Sequence, residues 1–447
     1  MISHDSYLGT WSRRMDWATM AAIGILVAIG LVAVFSAVNP SGASVRFMMK
    51  QLMAIGIGVF FIFILSSLNY QIFRAYPWVI YAFTVLALVA VLVVGHRIHG
   101  AKSWIVFGPL SIEPVEIARI GFIVAIAGLL DQPEREMNSL KCMAHVFALG
   151  GLHMMLILRE PYLGGTLVYG PIMLAMLYFS GVPSIYLLGV MFYGGVAIGI
   201  PLIATYFAMQ PQLLALHPFA NFLVSSAGGT RSAVELLFLS TTLIFGLWWF
   251  LRELRFRIPW QYPGFLSLIV AVGVYTAHII QHIIKDYQRK RLVVFLSPGF
   301  DPLGAGYHIL QSQIAIGSGR LFGKGLFSGS QTQLGFLPEK HTDFIFSVVG
   351  EEMGFFWTAI VIFAFGVLVW RSFVIATESQ DRFGSLIAVG VGTLFAFQRV
   401  MNIGMTLGLL PVTGVALPFV SYGGSQMVSA MIAIGLLQSV NFRRYIY

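Results

Sequence analysis

The chain has 447 residues, of which 58% are hydrophobic and only 10% charged, with a formal net charge of +9 at pH 7. That mix excludes a soluble domain, and runs that are continuously apolar rather than alternating exclude a transmembrane β-barrel. The basic surplus implies no nucleic acid, because Lys and Arg collect in the cytoplasmic loops of membrane proteins.

The fold class expected is all-α: one polytopic integral membrane domain over residues 1–447. Apolar runs of spanning length predict about twelve transmembrane helices at 17–38, 51–68, 77–95, 115–131, 143–158, 166–181, 183–207, 234–251, 262–284, 343–370, 385–407 and 415–440. Ser12-Arg13-Arg14 faintly resembles a twin-arginine signal. The apolar run that follows is too long for a cleaved segment, so it reads as an uncleaved first span. Cys142 is the only cysteine, so neither an intrachain disulfide nor a cysteine metal cage can form.

With a cytoplasmic N-terminus, the inner side holds Arg13, Arg14, Arg74, Arg135, Lys141, Arg252, Arg255, Arg257, Arg371, Arg382, Arg443 and Arg444. Both termini are then cytoplasmic, as the positive-inside rule asks. One segment departs from the rule. The loop 285–342 lies outside, yet carries Lys285, Arg289, Lys290, Arg291, Arg320, Lys324 and Lys340. Long loops obey the rule weakly, and external cations at a membrane surface suit a lipid-linked phosphate. The same orientation gathers the polar segments 97–116, 159–166, 285–342 and 404–425 on one face.

Asp343 is the sharpest candidate, placed where the long loop becomes a span. Helix capping is one reading of it. A general base, or a ligand for a divalent cation (Mg or Mn) beside phosphates, is the other. Glu351 and Glu352 lie about 12 Å deeper on the same helix, and Arg399 lies at a similar depth on the next span. Charges inside a membrane find partners, so a structural ion pair between Arg399 and one of these glutamates is expected. Glu116 and Arg119 form an i,i+3 pair, and Trp104 reads as an interfacial anchor. No G-x-x-x-x-G-K-[ST] occurs and no dense His/Cys set, so neither ATP use nor a zinc site is implied. No organic cofactor is implied.

From Arg291 to Gly354 and from Gln398 to Ser425 the chain resembles the SEDS family (shape, elongation, division and sporulation). The resemblance rests on Asp301-Pro302-Leu303-Gly304-Ala305-Gly306-Tyr307 and Gln311-Ser312-Gln313-Ile314-Ala315-Ile316-Gly317-Ser318-Gly319. It continues through Gly323-Lys324-Gly325, Leu337-Pro338-Glu339, His341-Thr342-Asp343-Phe344 and Glu351-Glu352. Asn402-Ile403-Gly404-Met405, Gly408-Leu409-Leu410-Pro411, Thr413-Gly414, Leu417-Pro418-Phe419 and Ser421-Tyr422-Gly423-Gly424-Ser425 complete it. The wording is most similar to the family's elongation members.

The resemblance implies a peptidoglycan glycosyltransferase that polymerises lipid II outside the cytoplasmic membrane, extending an undecaprenyl-pyrophosphate-linked glycan. It implies Asp343 as the catalytic aspartate. Trp104, Lys102, Glu116, Arg119, Arg291, Lys324, His341 and Ser421 are the implied substrate-binding residues. A typical member has ten spans, so 208–261 reads as a two-helix insertion. The implied partners are a class B penicillin-binding protein carrying the transpeptidase and other membrane proteins of the elongation complex. The chain also departs from the pattern. The family's Q-P-D-L-G-T becomes Glu160-Pro161-Tyr162-Leu163-Gly164-Gly165-Thr166, with Glu160 as the candidate replacement for the lost carboxylate. The R-W pair becomes Ser103-Trp104, with the positive charge moved to Lys102, and the last Ser of S-Y-G-G-S-S becomes Gln426. A lipid II flippase and a docking scaffold are the rival readings.

Overall fold

The computed structural model describes residues 14–39, 42, 44–98, 101–107, 110–131, 140–160, 162–208, 218, 221–222, 224–225, 229–256, 259–283, 294 and 305–444. In chain order the elements begin α1 Trp17–Val38, α2 Ser44–Ser67, α3 Gln71–Ala75, α4 Pro77–Val94, then β1 His96–Ile98, β2 Ala101–Phe107 and β3 Leu110–Ile112. They continue α5 Pro114–Leu130, α6 Leu140–Arg159, α7 Leu163–Leu167, α8 Tyr169–Phe179, α9 Ser184–Ala208, α10 Thr230–Glu253 and α11 Gln261–Ile283. The last are α12 Ala305–Ser318, α13 Ser330–Gln333, α14 Ile345–Val348, a π-helical turn Val349–Met353, α15 Gly354–Glu378, α16 Arg382–Thr406 and α17 Gly424–Arg443.

Helices dominate because a chain without water around it must satisfy its backbone internally. Among the described residues, ten helices are long and apolar enough to cross a membrane. The expected count of twelve is therefore not reached. At 115–131 and 166–181 the structure has shorter helices, the 17-residue α5 and the pair α7–α8, whose turn at Val168 divides the apolar run. Proline at the first turn of α4 and α5 fixes where each begins. Asp381 caps α16 by accepting from the Gly384 amide at 2.9 Å.

Two features depart from the expectation of helices joined by loops. Residues 96–112 form a three-stranded antiparallel sheet in the order β1-β2-β3, with His96 opposite Trp104 and Ile105 opposite Ile112. Within 285–342 the described part holds α12 and α13, so it is not a plain loop.

The chain divides into two units, residues 1–182 with 308–447, and residues 183–307. In the second, α11 packs on α9 and α10, and the Tyr193 and Thr276 hydroxyls meet at 3.0 Å. The described part of 208–261 contains one long apolar helix, α10.

In the first unit α1 and α15 run antiparallel. Asp16 accepts from Arg371 Nε through both oxygens, at 3.0 and 3.1 Å, while at the other end Ser36 bonds to Glu352. The Asp16 end is rich in arginine pairs. Arg74 meets Asp131 at 2.6 Å and Asp381 at 3.5 Å, and Arg444 pairs with Glu378. The opposite end, with β1–β3, Glu160 and Asp343, carries the site.

Candidate functional site

Asp343 stands two residues ahead of α14. The N-cap of α14 is Phe344, which makes no side-chain cap bond. Its backbone is held from α16. Asn402 Nδ2 donates to the Asp343 carbonyl at 2.9 Å and to the Val415 carbonyl at 2.8 Å. One amide thus ties the turn that carries Asp343 to the 413–415 turn. Gly414, at φ +72°, places its Cα beside the carboxylate, and a Cβ there would lie 3.4 Å from Asp343 Oδ2. Asn402 has no role in the sequence reading, although an asparagine inside an apolar helix is itself a signal.

The same turn reaches the start of α7. Tyr162 Oη donates to the Gly414 carbonyl at 3.5 Å. A Cβ at Gly164 would collide with the Thr413 carbonyl, so the close approach requires glycine. On the other side of the Tyr162 ring lies the Arg119 guanidinium, 6.0 Å from its centroid. Arg119 Nη1 donates to Glu116 Oε1 at 2.6 Å, and both side chains are buried. Glu116, Arg119, Tyr162, Gly414 and Asp343 are therefore linked in series. Arg119 Nε and Nη2 have no hydrogen-bond partner among the described residues.

Two further acids join this series. Desolvation and then the charge of Glu116 push the Glu113 carboxyl well above the usual range, Arg119 pulls it back, and Glu160 and Asp343 raise it further. Glu113 is thus within electrostatic reach of every charged member of the site. It has no part in the sequence analysis, where it stands three residues ahead of Glu116 in Glu113-Pro114-Val115-Glu116. Desolvation and Glu113 also hold the Tyr162 phenol well above its ordinary range, so it is neutral. Glu160 is fully buried and its carboxyl is raised to about 8, chiefly by desolvation. Ser103 is its polar neighbour, yet neither carboxyl oxygen has a hydrogen-bond partner among the described residues. Glu113, rather than Glu160, is the acid whose charge is coupled to Asp343.

The remaining expected residues fall differently. Trp104 lies on β2 next to Ser103, and strand alternation puts it on the opposite face from Ser103 and hence from Glu160. The Lys102 side chain, Lys285, Arg289, Lys290 and Arg291 lie outside what the structure describes. His341 packs edge-on against Phe47 with centroids 5.5 Å apart, and its ring lies 5.7 Å from that of Tyr422.

Two of the expected binding residues are engaged within the protein, and the expected ion pair is not formed. Ser421, expected at the substrate, donates its only proton to the Thr342 carbonyl at 2.7 Å and accepts from the Leu417 amide at 2.8 Å. It braces the turn that carries Asp343. Lys324, expected on phosphate, turns inward and pairs with Glu351 at 2.9 Å. Arg399 pairs with neither glutamate. Glu351 instead accepts from Lys324, Ser330, the amides of Gln331 and Thr332, and the Thr332 hydroxyl. Glu352 accepts from Ser36, Gln333 and the Phe327 amide. The 324–333 segment folds back to the depth of these carboxylates and satisfies both, so no guanidinium is needed.

These features define a polytopic helical membrane protein with a carboxylate-rich site at one end of its spans. The sequence pattern of the FtsW/RodA/SpoVE family, described as cell cycle protein, matches residues 13–227 and 239–446, and the chain belongs to that family. It is 34% identical to the peptidoglycan glycosyltransferase RodA of Treponema pallidum, over 96% of this chain and 98% of that one. It is 31% identical to stage V sporulation protein E of Bacillus subtilis, over 94% and 95%. It is also 30% identical to the peptidoglycan glycosyltransferase MrdB of Escherichia coli K12, over 94% and 92%. Its fold is similar to that of a chain from a peptidoglycan synthase complex that coordinates polymerization and crosslinking, at TM-score 0.69 and 26% identity, covering 97% of this chain and 99% of that one. The fold of Thermus thermophilus RodA matches with a TM-score of 0.59 at 24% identity, over 97% and 98%.

Proposed function

We propose that this chain is a peptidoglycan glycosyltransferase that polymerises lipid II at the outer face of the bacterial cytoplasmic membrane, in the service of cell elongation. One observation carries the reading. The chain belongs to a family whose named members are peptidoglycan glycosyltransferases, and its Asp343 stands in a cluster of coupled acids beside a buried arginine. The arginine pairs at the Asp16 end support a cytoplasmic placing of that end and of both termini, with the Asp343 end external.

In the reaction the 4-hydroxyl oxygen of one lipid II sugar forms a bond to the anomeric carbon of a lipid-linked glycan. The anomeric C–O bond breaks, and its electron pair leaves with undecaprenyl pyrophosphate. Asp343 accepts the hydroxyl proton as general base. Pyrophosphate leaves as an anion, so cations rather than an acid assist it. The basic run Lys285, Arg289, Lys290 and Arg291 is the set that would hold the pyrophosphate. Among the described residues no three His, Cys, Asp or Glu side chains form a metal-holding group. In the alternative to the base role, Asp343 would be the protein's ligand to a divalent cation, Mg or Mn, beside the substrate phosphates.

The partner is a class B penicillin-binding protein, since the chain lacks the S-x-x-K transpeptidase set and glycan strands need crosslinking. The likeness to a chain from a polymerising and crosslinking complex supports this. Purified protein given lipid II in detergent, where there is no membrane to cross, is expected to make glycan polymer. No polymer, with or without the transpeptidase, sinks the reading and favours a flippase. Rounded cells on depletion support the elongation role, and filaments support division.

A further inference from the structure

The segment 319–336 looks from its composition like a water-exposed, glycine-rich loop. The structure packs its backbone against a transmembrane helix instead. The amides of Lys324 and Gly325 donate to the carbonyls of Glu351 and Glu352, each at 3.0 Å. The amides of Phe355 and Phe356 donate to the carbonyls of Arg320 and Leu321 at 2.8 and 3.1 Å. These bonds exist because the π-helical turn Val349–Met353 and Gly354 interrupt the regular ladder and free its polar groups. Gly323, at φ +80°, permits the approach, since a Cβ there would collide with the Glu352 carbonyl.

The depth of this contact follows from the helices that hold it. Trp17 and the Asp16–Arg371 pair mark one membrane boundary. Ser36 and Glu352, which meet each other and the Phe327 amide, each lie at the far end of α1 or α15 from that boundary. At 1.5 Å per residue they stand about 28 Å above it, within the ~30 Å of a bilayer's hydrocarbon core. What the segment presents outward at this height is apolar. Phe322 is 82% exposed and Leu334 70%, and Leu321, Leu326 and Phe336 are exposed as well. Their surface runs on into the exposed Phe355 and Phe356 of α15 and the exposed Phe35 of α1, whose ring meets Phe327 at 5.7 Å.

We propose that residues 319–336 form a re-entrant element whose Leu321, Phe322, Leu326, Leu334 and Phe336 side chains insert into the acyl region of the leaflet on the Asp343 side. Lipid is the occupant because the patch is level with the hydrocarbon and continuous with the lipid-facing surface of two spans. Exposed phenylalanines at that height would cost free energy against water, whereas burial in acyl chains gains it. Lys324, Ser330, Thr332 and Gln333 do not oppose insertion, since they are bonded to Glu351 and Glu352, while the exposed Arg320 must carry its guanidinium up to the headgroups. Lys340 bonds to the Thr332 carbonyl, which ties the inserted element to the turn that leads into Asp343. The inference uses no part of the proposed chemistry.

The lone Cys142 makes a direct test possible. In a Cys142→Ser background, Phe322→Cys and Leu334→Cys are labelled with an environment-sensitive fluorophore, with the exposed Gln380→Cys, at the other end of the spans, as reference. Each protein is reconstituted in phosphatidylglycerol–phosphatidylethanolamine vesicles. Blue-shifted emission at 322 and 334, lost to acyl-chain spin-labelled lipid but not to iodide, is the expected result. Water-like emission quenched by iodide overturns the proposal. So does blue-shifted emission that spin-labelled lipid leaves untouched, because protein rather than lipid then covers the patch. Two labelled positions keep the test decisive should one variant fail to fold.

Discussion

Two fully buried glutamates near the same end of the spans are treated in opposite ways. Glu351 accepts five hydrogen bonds, from a lysine, two hydroxyls and two backbone amides. Glu160 accepts none among the described residues, and its carboxyl is raised to about 8. The surroundings differ in the same sense. Around Glu351 every polar group serves to hold one segment against a helix. Near Glu160 lie Glu113, an acid that feels the charges of both Glu160 and Asp343, and Ser103. Burial alone does not mark a functional acid; burial without donors does, because such a group keeps a perturbed protonation equilibrium.

The sharpest way to break this contrast is to swap function against stability. Asp343→Asn is expected to lower lipid II polymerisation by about 10²–10⁴-fold, the usual worth of a general base, while the unfolding midpoint stays put. Turnover near that of the wild type in a well-folded Asp343→Asn protein removes the aspartate from the mechanism. Glu351→Leu should do the reverse. It leaves Lys324 and two amides without their acceptor, and breaking a buried pair costs about 3–5 kcal/mol. Thermal unfolding of the detergent-solubilised variant reads this, and an unchanged midpoint would mean that the segment is held by other bonds.

Much of this contrast was invisible in the sequence, for identifiable reasons. The runs at 17–38 and 77–95 are legible because continuous apolar residues have one solution in a membrane, and both helices lie where expected. The sheet at 96–112 was readable in principle. His99-Gly100 and Gly108-Pro109 separate its strands, but the strands are too short to stand out between spans. Asp343 was found from its place at a loop-to-span junction. Glu113 was not, because its importance lies in a convergence with Glu160 and Asp343 from distant parts of the chain. Lys324 was assigned to phosphate because periodicity cannot show a polar segment returning to the depth of a span.

Glu160 gives the third test, and its sign can be worked out. The folded value, about 8, lies above the ordinary 4.5, so the folded protein keeps a proton that the unfolded chain has already released. The stability from that proton is complete below the unfolded value and is lost as pH rises through the folded one. Between pH 6 and pH 8 the loss should amount to about 2 kcal/mol, at 1.36 kcal/mol per unit. Glu160→Gln cannot titrate, so its unfolding midpoint should vary less with pH and exceed that of the wild type at pH 8. Parallel curves for the two proteins would mean that Glu160 is solvated and belongs with the satisfied acids.

Arg399→Leu should have the smallest effect, and for that reason it tests the comparison from its other side. A depth argument from the sequence pairs Arg399 with Glu351 or Glu352, and a buried pair broken by leucine would lower stability by about 3–5 kcal/mol. The structure removes the premise. Both glutamates are saturated by the 324–333 segment, and among the described residues Arg399 has no ion pair. Its guanidinium lies beside Gly366 of α15, 3.8 Å from where a Cβ would stand, and the side chain is only partly buried. Gly366 is the middle residue of α15, so this charge lies within the span, and replacing it removes a cation that no group among the described residues neutralises. Thermal stability should therefore change by less than about 1 kcal/mol, and toward stabilisation if at all. A large drop in Arg399→Leu that is not additive with Glu352→Gln would restore the pairing and put Glu352 back among acids held by a cation.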